Sequence, residues 1–135
     1  KLLAALSILV AVSVQEAQAV TCSRFVMEGC GGGGALAGLC AAPFVEMAGE
    51  ECRGEPVYAQ ENVDTVYYAY KGNSKWYFNS QKCNPDFGAT VDGSVNSVAR
   101  DIAHPVDASP YRVVSGGTYA TQNSITTTCT TAPPP

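Results

Sequence analysis

The segment Thr65-Val66-Tyr67-Tyr68-Ala69-Tyr70-Lys71-Gly72-Asn73-Ser74-Lys75-Trp76-Tyr77-Phe78 decides the fold class. Two aromatic-rich runs flank a short polar break containing glycine, which is the pattern of a β-hairpin. Strand side chains alternate between faces. Val66, Tyr68 and Tyr70 therefore share a face of the first arm, and Trp76 and Phe78 share a face of the second. A three-residue loop at Gly72-Asn73-Ser74 sets Tyr70 opposite Trp76 and Tyr68 opposite Phe78. A two-residue loop that shifts the pairing by one sets Tyr68 opposite Tyr77 instead. Cross-strand aromatic pairs contribute up to about 1 kcal/mol each, which favours the three-residue loop. On that register the four large rings form a core, and Tyr67 and Tyr77 remain as surface aromatics.

Working outward, Val57-Tyr58-Ala59-Gln60 reads as a preceding strand, started by Pro56 at a position where proline is tolerated. Thr21 to Met27 and Phe44 to Met47 are earlier strand candidates. Ser94 to Ala99, Tyr111 to Val114 and Ser124 to Cys129 are later ones, enriched in Val, Thr and Tyr. Gly29-Cys30-Gly31-Gly32-Gly33-Gly34-Ala35 interrupts regular structure as a long glycine-rich loop. Without a Lys-Ser/Thr after its glycines, that loop lacks the features of a phosphate cradle. No window of the chain after residue 19 carries a helical period. The expected fold is mainly β: a small antiparallel, meander-like sheet in a single domain over residues 20–129.

Leu2 to Val14 is an uncharged apolar stretch preceded by Lys1 and followed by Gln15-Glu16-Ala17-Gln18-Ala19. These are the parts of a secretory signal peptide ending at residue 19. The stretch is shorter than the roughly 20 apolar residues of a membrane-spanning helix. All six cysteines, Cys22, Cys30, Cys40, Cys52, Cys83 and Cys129, follow it. An even count in a secreted chain reads as disulfides, although the count alone does not choose the pairing. One plausible set is Cys22–Cys129, Cys30–Cys40 and Cys52–Cys83. Zinc is disfavoured, because there is no Cys-x-x-Cys and only one histidine. The net charge is −4 and no basic run occurs, so neither a nucleic-acid surface nor an anionic-membrane surface is expected. Residues 130–135 form a Thr/Pro tail, read as a linker. A first residue that is not Met, with this tail at the other end, leads to the expectation that the chain is part of a longer protein.

The order Gly54-Glu55-Pro56-Val57-Tyr58, Tyr67-Tyr68-Ala69-Tyr70, Ser74-Lys75-Trp76-Tyr77-Phe78 and Ala99-Arg100-Asp101-Ile102-Ala103-His104-Pro105 resembles an uncharacterised secreted extracellular β module of marine invertebrates and protists. The sequence departs from it at Tyr111, where such modules often carry Trp, and in the extra cysteines Cys30, Cys40 and Cys52. The resemblance implies a meander-like sheet and an extracellular setting, and it carries over no catalytic residues.

Reactive chemistry is sparsely represented. His104 stands alone, with Asp101 and Asp107 three residues to either side; Ser97 and Ser109 are the nucleophiles considered with it, and neither lies in a nucleophile elbow. Glu50, Glu51 and Glu55 sit in a turn, where solvated carboxylates are ordinary. Asp86 and Asp92 lack the EF-hand pattern of oxygen ligands. No catalytic residue, metal or cofactor is assigned. The leading expectation is a secreted, non-catalytic structural or interaction module whose partner is an extracellular protein or glycan. A carbohydrate-binding domain using Tyr67, Tyr77 and Trp76 is the alternative, and a small secreted hydrolase is the third reading.

Overall fold

The computed structural model describes residues 22–31, 34–84, 95–115 and 118–130. The signal-peptide reading, Asp86, Asp92 and the tail after Thr130 lie outside the described residues. Nine strands form one sheet: β1 Arg24–Glu28, β2 Phe44–Cys52, β3 Glu55–Gln60, β4 Tyr68–Gly72, β5 Lys75–Asn79, β6 Val95–Ser97, β7 Tyr111–Ser115, β8 Thr118–Gln122 and β9 Thr126–Cys129. Their spatial order is β8-β7-β6-β5-β4-β3-β2-β1-β9, with every neighbour antiparallel. The mainly β, meander-like reading holds: β1 to β8 are a meander, and β9 returns to the far side of β1. The sheet curls into a half-barrel.

The register aligns one row of residues across most of the sheet. Tyr58, Ala69, Phe78, Val95, Val113 and Ala120 are successive cross-strand partners, and all but Ala120 are buried on the inner face. Phe25 and Phe44 extend this core, stacked at 5.2 Å, and Tyr111 packs edge-on against Phe78 at 5.4 Å. The parallel row on the outer face runs Tyr70, Tyr77, Asn96, Arg112, Thr121. It begins as an apolar cluster with Val57 and the Cys52–Cys83 disulfide, then turns polar.

The hairpin register corrects both pairings considered from sequence. The turn is the two-residue Asn73-Ser74, with φ of 44° and 69°, and it sets Tyr70 opposite Tyr77 and Ala69 opposite Phe78. Two successive positive φ values give a turn whose twist matches that of the flanking strands. Trp76 and Phe78 therefore face the inner core with Ala69. Tyr70 and Tyr77 stack on each other at 5.9 Å on the opposite face.

Strand β8 and two helical elements were not expected. A short helix, α1 Gly34–Leu39, follows the glycines and inserts Leu39 into the core. The Gln60 side-chain amide caps its C-terminal end, donating to Gly38 O at 2.7 Å and Leu39 O at 3.2 Å. A 3-10 helix, Pro105–Asp107, lies between β6 and β7. It bridges the open side of the half-barrel, because Pro105 O accepts hydrogen bonds from Tyr111 on β7 and Thr127 on β9.

All three disulfides pair in the set named above: Cys22–Cys129, Cys30–Cys40 and Cys52–Cys83. Closure of the 107-residue separation between Cys22 and Cys129 stabilises the fold by about 4–5 kcal/mol in the chain-entropy model.

Candidate functional site

The inner face is apolar through most of the sheet but turns polar at the end where the β2–β3 and β4–β5 turns lie. Glu46 is the cause. In Phe44-Val45-Glu46-Met47 it shares the inward phase with Phe44, and it sits directly across from Tyr58 on β3. Glu46, Glu55, Pro56, Tyr58, His104 and the Cys22–Ser23 segment line an open cleft of about 350 Å³. A second cleft of about 220 Å³ lies beside it, lined by Arg53, Lys71, Asn73 and Asp101, and Glu55 belongs to both. Lys71 Nζ stands 3.9 Å from a Glu55 carboxylate oxygen.

Tyr58 is buried beneath the first cleft. Burial, reinforced by the negative charges of Glu46 and Glu55, pushes its phenol up to about 12. It is therefore a neutral hydroxyl at any ordinary pH. His104 is only 4% exposed. Its Nδ1 accepts from the Val106 N–H at 3.1 Å, and its Nε2 lies 2.9 Å from Cys22 O. The Cys22 N–H also approaches Nε2, at 3.3 Å, so this nitrogen faces both backbone groups of Cys22. Its ring packs edge-on against Tyr58 and Phe25. Both nitrogens are thus engaged by backbone, and the imidazole pins the 3-10 helix to the segment anchored by Cys22–Cys129.

The aromatics considered as binding residues do not form a common surface. Trp76 is 1% exposed, faces inward, and donates its indole N–H to Ile102 O at 2.8 Å. Tyr77 is 6% exposed and faces outward, so the expectation that it is a surface aromatic is corrected. The register is the reason: it stacks Tyr77 on Tyr70 beneath the outer apolar cluster. Tyr67 is partly buried against α1, where a Cβ on Gly38 would come within 2.7 Å of its ring.

Ser97 and His104 address different backbone groups. The Ser97 hydroxyl donates to Ala99 O and accepts from the Trp76 N–H. Asp101 lines the second cleft, and Glu50 pairs with Lys82. Sequence reading passed over Glu46 and Tyr58. The available signal was a carboxylate two residues from Phe44, on the same phase of the strand.

Among the described residues, no group of three or more His, Cys, Asp or Glu is placed to hold a metal ion, and no helix is long and apolar enough to cross a membrane. Three disulfides are compatible with an oxidising, extracellular environment. Comparison with protein-family models, with curated proteins and with solved structures finds no match in any of the three.

Proposed function

We propose that the chain is a secreted, non-catalytic interaction module that receives a basic side chain of an extracellular protein in the cleft beside Glu46 and Glu55. The observation that carries this reading is the chemistry of that cleft. Two carboxylates line it, while the imidazole in its wall has both nitrogens engaged by backbone. A carboxylate pair beside an apolar floor suits a guanidinium or ammonium group with an aliphatic stem. Apart from this pair, the cleft offers the neutral Tyr58 hydroxyl and backbone groups, which can fix the orientation of such a guest.

The test is an NMR titration of the ¹⁵N-labelled protein with a short Arg-containing peptide, its citrulline counterpart and a neutral oligosaccharide. The Arg peptide should shift the amides of Ser23, Glu46 and His104, and Glu46→Gln with Glu55→Gln should abolish those shifts. Equal response to the citrulline peptide, or none to either, sinks the reading. A hydrolase would instead show a turnover that His104→Gln removes. The glycan alternative draws support from a different surface, on the outer face.

A further inference from the structure

The outer face carries a cationic cluster that no run of the sequence announces. Lys75 on β5 and Arg112 on β7 point outward, flanking Tyr77 and Asn96 in the register. Arg100, in the loop after β6, reaches back to donate from Nη1 to Asn73 O at 3.1 Å, which brings it beside the β4–β5 turn that Lys75 leaves. Arg112 is held in place: its Nε donates to Asn96 Oδ1 at 2.7 Å, and its guanidinium lies over the Tyr119 ring, 4.6 Å from the centroid. Tyr119 is itself 45% exposed.

No carboxylate answers this cluster among the described residues. The ion pairs there are Arg24–Glu61, Lys71–Glu55 and Lys82–Glu50, and none includes Lys75, Arg100 or Arg112. Asp101 follows Arg100 but lines the cleft shared with Lys71. Lys75 is only 7% exposed. Burial holds its ammonium below the usual lysine range, and the positive charges of Arg112 and Arg100 add to the effect. Three like charges gathered in a chain of net charge −4, one of them desolvated, cost stability unless an anion offsets them.

We propose that Lys75, Arg100 and Arg112 bind an oxyanion group of an acidic polysaccharide, a sulfate ester or a uronate carboxylate, with the sugar ring against the exposed side of Tyr119. Guanidinium groups match the geometry of such oxyanions, and a tyrosine ring offers a flat apolar surface to a pyranose. The site lies across the sheet from the Glu46 cleft and does not depend on it. Failure here leaves the cleft reading untouched, and the reverse also holds.

The experiment is isothermal titration of the full chain with dextran sulfate, polygalacturonate, unsulfated dextran and inorganic sulfate. Dextran sulfate, polygalacturonate or both should bind, unsulfated dextran should not, and binding should fade in about 0.5 M NaCl, where exposed charges are screened. Arg100→Gln combined with Arg112→Gln should weaken binding by about tenfold or more, and Tyr119→Ala should weaken it by a smaller factor. Arg100→Gln alone alters only an exposed loop residue and keeps the test decisive if the double variant misfolds. Arg24→Gln with Lys82→Gln removes the same number of charges elsewhere and should leave affinity within about twofold. Equal losses in the two double variants would reduce the effect to net charge and overturn the proposal. So would wild-type affinity in the arginine variants, or inorganic sulfate binding as tightly as the polymers with no response to Tyr119→Ala.

Discussion

The inner row Tyr58–Ala69–Phe78–Val95–Val113 and the outer row Tyr70–Tyr77–Asn96–Arg112–Thr121 are built from the same strands, one residue out of phase. The inner row stays apolar along its length and is buried from β3 to β7. The outer row starts with two stacked tyrosines under a disulfide and ends in an amide, a guanidinium and a hydroxyl. A curled sheet needs only one face to exclude water, so the concave side holds the fold. The convex side is free to vary from packing to polar chemistry as it leaves the Cys52–Cys83 staple. Strand period alone creates this division of labour.

Substitutions along the two rows should separate cleanly. Phe78→Ala in the inner row opens a cavity among Phe25, Phe44 and Tyr111 and should cost about 3–5 kcal/mol in urea unfolding. Alkaline pH tests the buried phenols of both rows, because burial raises Tyr70 and Tyr77 on the outer face as it raises Tyr58 on the inner one. Tyr58 has a folded-state pKa of about 12 against an ordinary 10.0, so only the unfolded chain loses that proton between those values. The Tyr58 contribution to stability should therefore be constant below pH 10 and be lost as pH rises from 10 towards 12, by on the order of 2 kcal/mol. Burial also raises Tyr111, so Tyr58→Phe should shrink the alkaline loss without abolishing it.

Gln60 is a buried polar residue of the inner face. Gln60→Leu leaves the Gly38 and Leu39 carbonyls without their amide donor and should cost about 1–3 kcal/mol. That loss should appear first as faster hydrogen exchange in α1. At the far end of the outer row, Thr121→Ala should change stability by less than about 0.5 kcal/mol. A cost there comparable to Phe78→Ala would erase the distinction between the rows.

Much of the inner row could be read from the sequence, because alternation of large apolar residues is a direct record of burial. The disulfides were also within reach, since six cysteines with no Cys-x-x-Cys and a single histidine leave few competing chemistries. The register was not. It depends on Asn73 and Ser74 both tolerating positive φ, whereas Gly72, the residue that advertises a turn, lies in β4. Strand β8 was hidden for a related reason: Thr118-Tyr119-Ala120-Thr121-Gln122 is an edge strand exposed over nearly its whole length, so burial never patterned it. Helix α1 is too short and too rich in glycine to show a period. Its order comes from the Cys30–Cys40 bridge and the Gln60 cap.

The two candidate sites differ in the same way. Glu46 shares its strand phase with Phe44, two residues away, and was detectable from that spacing. Lys75, Arg100 and Arg112 are scattered along the chain, and only the folded sheet gathers them. Clusters assembled by tertiary contact leave no local signature.

The joining of the two rows across the hairpin depends on the β4–β5 register, since a slip of one residue would turn one strand over. Cross-strand backbone NOEs in the hairpin test it most directly. The two-row account predicts contacts joining Tyr70 with Tyr77 and Ala69 with Phe78. Contacts joining Tyr70 with Trp76 and Tyr68 with Phe78 would contradict it.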